Sequence, residues 1–123
     1  MLENYISYIL YAIGAVTASM VMQLISPQYF LRTFNNFEID DEKAIFLARS
    51  AAAPIAMIGI LIIWAGYDAN IRVPILTAAM IGKAAFVGVI LMKLKTIAKG
   101  FLFTAIFDSI SVVIFASYLI SRI

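Results

Sequence analysis

Cysteine and histidine are both absent from the 123 residues, and these two absences exclude more chemistry than any motif present. Without thiols there can be no disulfide, no thiol redox step and no cysteine-ligated zinc or iron–sulfur cluster. Without imidazole the chain also lacks the commonest haem and copper ligand and the usual proton shuttle near neutral pH. A cofactor held by this chain alone would rest on carboxylates, methionine or tyrosine, so the expectation is no cofactor and no metal. Met20, Met22, Met57, Met80 and Met92 are scattered and read as adaptable apolar filling rather than copper ligands. Charge is scarce too: nine Lys+Arg against seven Asp+Glu leave a formal charge of +2. That surplus is too small to point to a nucleic-acid partner.

What is present is apolar. Hydrophobic residues make up 64% of the chain and the mean hydropathy is +1.02, whereas a soluble domain is ~45–50% apolar with ~25% charged residues. A water-soluble fold of this length could not hide so much apolar surface, so the solvent for most of the chain is the lipid bilayer. The expected fold is all-α: an integral membrane four-helix bundle forming a single transmembrane domain over residues 1–123.

The spans follow from the charges that bound them. Residues 4–31 carry no charge, more than the ~20 that cover a hydrocarbon core of ~30 Å, and helix 1 is expected over residues 5–25. The Ser26, Pro27 step ends or bends it, because proline lacks an amide proton and restricts the residue before it. The first charge is Glu3 and no small-residue cleavage site is evident, so a signal peptide is not expected. Residues 28–39 are aromatic and polar, as suits a loop or short helix in the membrane interface. Asp40, Asp41 and Glu42 mark a helix start, giving helix 2 over residues 41–66, with Pro54 inside it and Trp64 and Tyr67 at its far interface. A tight polar turn from Asp68 leads to helix 3 over residues 73–92, interrupted only by Lys83. A basic loop and Gly100 then lead to helix 4 over residues 101–120, interrupted only by Asp108.

Four spans place the first and third loops on one side of the membrane. Those loops carry Arg32, Lys43, Arg49, Lys93, Lys95 and Lys99, against Arg72 and Arg122 on the other side. The preference of Lys and Arg for the cytoplasmic face puts these two loops in the cytoplasm and both termini outside.

Charges within the spans are the candidate site. A charge near the bilayer centre costs ~2.5–3.5 kcal/mol even on the lenient insertion scale, so such groups face protein and find partners. Counted from the third loop, Lys83 and Asp108 differ in depth by only ~3 Å at ~1.5 Å per residue, and an antiparallel hairpin lets them meet. Arg49 stands inside the apolar run of helix 2, able to reach Asp108 or to snorkel toward the headgroups. The cluster of Lys83, Asp108 and Arg49 has two readings: a site for an ion, a proton or an anionic group, or a neutralised pair that fixes which helix faces pack. Thr104, Asp108 and Ser111 follow i, i+4, i+7 and share a face, either lining a water-filled path or bonding back to the helix. Gln23 suits an interhelical hydrogen bond or a ligand contact. Small residues at close spacing (Gly14 and Ala18; Ala48, Ala52 and Ala56, then Gly59; Ala78 and Gly82) let helices approach one another or another subunit.

Three families of four-helix membrane proteins are set aside on residues. Helix 1 lacks the embedded glutamate of small multidrug exporters, the chain lacks the cysteines of vitamin K epoxide reductases, and the residues around Arg49 do not match the membrane glutathione transferases. Residues 47–120 do follow an order of features: Arg49 opening helix 2 with Ala52 and Gly59 after it, Gly82 and Lys83 in helix 3, Asp108 in helix 4. That order resembles the DoxX-like group of small four-helix membrane proteins. The resemblance implies a small companion subunit in a redox-linked membrane assembly and supplies no catalytic residue. Missing redox ligands, small-residue faces, an interfacial aromatic segment and very short extramembrane parts make the leading expectation a non-catalytic membrane subunit or scaffold of a larger complex, with other membrane protein subunits as partners. The alternatives are a small proton, ion or solute transporter using Lys83 and Asp108, and a membrane enzyme subunit that binds quinone or lipid through Arg49.

Overall fold

A computed structural model of the chain describes the backbone of residues 2–95 and 99–122 and the side chains of residues 5–95 and 99–122. The described residues are all-helical apart from turns and loops: α1 (Leu2–Ala18), α2 (Val21–Ile25), α3 (Pro27–Asn35), α4 (Glu42–Tyr67), α5 (Arg72–Met92) and α6 (Leu102–Ser121). Four stretches are long and apolar enough to cross a membrane: Tyr5–Ile25, Glu42–Tyr67, Ala69–Met92 and Lys99–Ser121. Within their most apolar windows only 22–28% of residues are buried in the chain. Most of the apolar surface therefore faces outward, which is tolerable in lipid and not in water. The middle of the third loop, residues 96–98, lies outside the described residues.

Local chemistry explains the helix ends. Asp41 caps α4, its carboxylate accepting from the Ala44 amide at 3.1 Å, which satisfies one of the four orphan donors of a helix start. Pro27 occupies the first turn of α3, where its missing amide proton costs nothing. Asn36 ends that helix in the left-handed region at φ 48°, a conformation asparagine tolerates better than most residues. Helix α4 runs on through Pro54, which lies on its exposed face.

The first span is not the single helix expected over residues 5–25, since it breaks at Ser19 and Met20 between α1 and α2. The cause is local competition for carbonyls. Thr17 Oγ1 donates to the Ile13 carbonyl at 2.8 Å and Ser19 Oγ to the Val16 carbonyl at 2.5 Å, and such back-bonding bends helices. The chain then tightens into a 3₁₀ pattern, with the Met22 amide on Ser19 and the Gln23 amide on Met20, both at 3.0 Å.

The break coincides with the closest crossing of α1 and α4. A Cβ built on Gly59 would fall against the backbone of Thr17 and Ala18, and one on Gly14 would meet the Gly59 carbonyl and Ile63. Ala52 and Ala56 are buried on the same face of α4. At the other end of this pair, Gly66 accommodates the ring of Tyr11. Toward the termini the core joins Ile6, Leu10 and Ile13 of α1 to Ile62 and Ala65 of α4, Leu76 and Ala79 of α5, and Phe115 and Tyr118 of α6. A smaller cluster around Ile90 and Ala105 closes the end nearest the third loop.

Gly59→Ala is therefore expected to destabilise the isolated chain by about 1–3 kcal/mol through overpacking. Gly82→Ala, with nothing within 4 Å of its new methyl, should instead be neutral or stabilising by up to ~1 kcal/mol. Thermal unfolding in detergent followed by circular dichroism compares them, and equal effects of the two variants would contradict this packing.

Candidate functional site: a polar layer at mid-depth

Lys83 sits eleven residues into the 21-residue α5 and Asp108 six residues into α6. Both are buried, with relative exposures of 8% and 6%. Lys83 Nζ lies 2.8 Å from Asp108 Oδ1, an ion pair between antiparallel neighbours. A third helix joins them, because Lys83 Nζ also donates to Thr17 Oγ1 at 3.1 Å. Thr17 is itself buried, and its hydroxyl donates to the Ile13 carbonyl. The Phe107 ring covers the ammonium, its centroid 5.3 Å from Nζ, adding the attraction of a π face for a cation. Among the described residues no buried side-chain nitrogen or oxygen lacks a hydrogen-bond partner.

Thr17 was not among the residues singled out from sequence. Depth was the signal that could have found it: it stands ten residues before Pro27, matching the ~10-residue depth of Lys83 at ~1.5 Å per residue. The remaining candidates separate from this layer. Arg49 does not join Lys83 and Asp108; it is exposed, and its Nε donates to the Leu24 carbonyl at 3.0 Å. Depth explains the separation: Gly59 is the residue of α4 that meets Thr17 and Ala18, and Arg49 lies ten residues before it, about 15 Å along the helix at ~1.5 Å per residue. Gln23 makes an interhelical bond, donating to the Ala48 carbonyl at 2.8 Å. Ser111 donates back to the Phe107 carbonyl at 2.9 Å. Thr104 is reached by Asn35 Nδ2 at 3.5 Å. The face shared by Thr104, Asp108 and Ser111 is thus spent on bonds within the protein.

Two further structural roles escaped sequence reading. Asn35 ties α3 to the third loop, donating to the Gly100 carbonyl at 3.2 Å, and a Cβ on Gly100 would collide with the Asn35 backbone. The Phe37 and Phe101 rings meet edge to face at 5.3 Å beside this contact. Arg72 is more than a loop charge. Its guanidinium donates to the Ala65 and Gly66 carbonyls at the end of α4, at 2.6 and 2.9 Å, and to Ser7 Oγ at 3.0 Å. It closes that end of the bundle by satisfying carbonyls that the helix leaves without partners.

Fold and site together define an all-α integral membrane protein, a four-helix bundle with a closed polar layer across three of its helices. No known protein family, curated protein or solved structure matches the chain.

Asp108→Asn leaves the buried Lys83 without a counter-charge and is expected to destabilise the chain by about 3–5 kcal/mol. The double variant Lys83→Met with Asp108→Leu removes both charges and should recover most of that loss. Thermal unfolding in detergent decides between this outcome and additive losses, which would show that the two groups act independently.

Proposed function

We propose that the protein is a small non-catalytic integral membrane subunit or scaffold that packs against a larger membrane complex. The observation that carries this reading is the outer face of α5. Ala78, Gly82 and Ala85 are exposed at spacings of four and three residues, and nothing lies within 4 Å of the position a Gly82 Cβ would take. The equivalent small residues Gly14 and Gly59 are buried in the contact between α1 and α4. Small residues lower a helix surface so that another helix can approach closely, which in lipid is a main source of association energy. A helix that keeps such a surface while its own neighbours pack elsewhere is suited to a neighbour from another chain.

The polar layer supports the same reading, since its donors and acceptors are engaged with one another and it offers no nucleophile or base positioned for catalysis. The resemblance to the DoxX-like group adds that the partner complex is redox-linked. The uneven distribution of Lys and Arg supports a topology with the first and third loops in the cytoplasm and the termini outside.

Blue-native electrophoresis after mild detergent extraction from the native membrane tests the proposal. The wild-type chain should run in a species far larger than itself. Gly82→Ile should release it from that species while its own thermal stability holds. Migration of the wild type only as a monomer or small homo-oligomer would count decisively against a subunit role. Because the chain has no cysteine, single-cysteine labelling in intact cells tests the orientation: Lys95→Cys should be protected from an impermeant maleimide and Arg122→Cys labelled, and the reverse pattern inverts the topology.

A further inference from the structure

Arg49 is the charge that the polar layer leaves out, and its position in the membrane can be read from its own helix. Trp64 and Tyr67 are exposed at the far end of α4, where aromatic rings settle at the interface. Counting back ~20 residues, or ~30 Å, from that pair puts the near edge of the hydrocarbon between Ala44 and Leu47. Arg49 lies two to five residues deeper, about 3–8 Å below that edge at ~1.5 Å per residue. A guanidinium there needs an anionic or polar partner.

The chain supplies only part of one. The ion pair found among the described residues is between Lys83 and Asp108, and Arg49 is held instead by a carbonyl. Leu24 is the penultimate residue of α2, which stops at Ile25 before Pro27, so its carbonyl has lost its helical partner. Arg49 Nε fills that vacancy at 3.0 Å, and Gln23 returns a bond to the Ala48 carbonyl at 2.8 Å. This reciprocal clamp fixes the base of the guanidinium and shortens its reach toward the surface, which limits the usual escape by snorkelling. It occupies one of five N–H donors. The terminal Nη groups make no hydrogen bond among the described residues, and the side chain is exposed at the seam between α2 and α4. Arg72 offers the contrast: its Nε and Nη2 are both bonded within the protein.

We propose that Arg49 is the phosphate-binding residue of a site for an acidic phospholipid at this seam. An anion that can descend to the edge of the hydrocarbon while keeping its tails in lipid is a phospholipid phosphate. The two-pronged guanidinium matches two of its oxygens. Nearer the loop on α4, Lys43, Phe46 and Leu47 line a shallow open groove with Glu42, of which Phe46, three residues before Arg49, shares Arg49's side of the helix. Phe46 is 67% exposed, giving the glycerol and upper acyl carbons an apolar wall. Lys43 stands toward the headgroup, where it favours a net-negative lipid over a zwitterionic one. The site is independent of the subunit reading, because the small-residue face proposed for a partner lies on α5.

Native mass spectrometry of delipidated protein in detergent, titrated with phosphatidylglycerol or phosphatidylcholine, tests the site. The wild type should retain one phosphatidylglycerol with an affinity about tenfold or more above phosphatidylcholine, a difference of ~1.4 kcal/mol. Arg49→Gln should abolish that preference. Arg49→Lys, which keeps the charge without the fork, should fall between them and serves if the glutamine variant does not fold. Lys95→Gln, the same change of charge in the third loop, should retain the preference within about twofold. The proposal is overturned if the foldable Arg49 variants bind phosphatidylglycerol as tightly as the wild type, or if Lys95→Gln weakens it equally. Displacement of the lipid by an equal concentration of inorganic phosphate would also overturn it, showing a site for free anions rather than for lipid.

Discussion

The Lys83–Asp108 ion pair sets the terms for the rest of the bundle, because lipid offers no water to either charge. Each would cost ~2.5–3.5 kcal/mol at mid-depth if turned toward acyl chains. Their pairing at 2.8 Å therefore fixes both the rotation of α5 and α6 and their relative height. The bond from Lys83 to Thr17 extends that constraint to the first span. The layer separates the large apolar cluster near the termini from the smaller one near the third loop, so a slide of one helix along another would separate the charges. Apolar packing alone would resist such a slide weakly, since lipid tails are as hospitable to leucine as a protein interior is.

The ends of the bundle obey the same rule through the backbone. Wherever a helix stops near lipid, its last carbonyls need donors, and arginine provides them twice. Arg72 closes the end of α4 and Arg49 the end of α2. Both tie together segments distant in sequence: Arg72 reaches Ser7, and Arg49 joins the second span to the first. The glycine crossing of α1 and α4 needs this bracing, because the Thr17 and Ser19 hydroxyls weaken the helix at that very point. A kinked helix held at three levels, by Arg72, by Lys83 through Thr17, and by Gln23 with Arg49, keeps one shape.

Much of this architecture is legible along the sequence. Helices α4, α5 and α6 start and stop within one residue of the spans expected from charge and hydropathy, because a charged residue and a proline act at their own positions. The interfacial stretch after Pro27 contains a helix, as its aromatic and polar pattern allows. The break after Ala18 was not legible: threonine and serine are common in membrane helices, and only the close approach of Gly59 shows why this one bends. The small residues were equally ambiguous, since Gly14 with Ala18 and Ala78 with Gly82 share the same spacing. Packing turns the first pair toward α4 and the second outward.

The sequence by itself determined the number of spans, their apolar lengths and the matching depths of Lys83 and Asp108, because depth follows from a constant rise per residue. Only the tertiary structure decided rotation: that Thr17 completes the polar layer, and which small-residue face is left uncovered. In water a helix announces its inner face by polarity, but in a bilayer both faces are apolar. Which way each side chain points then depends on the neighbours it packs against.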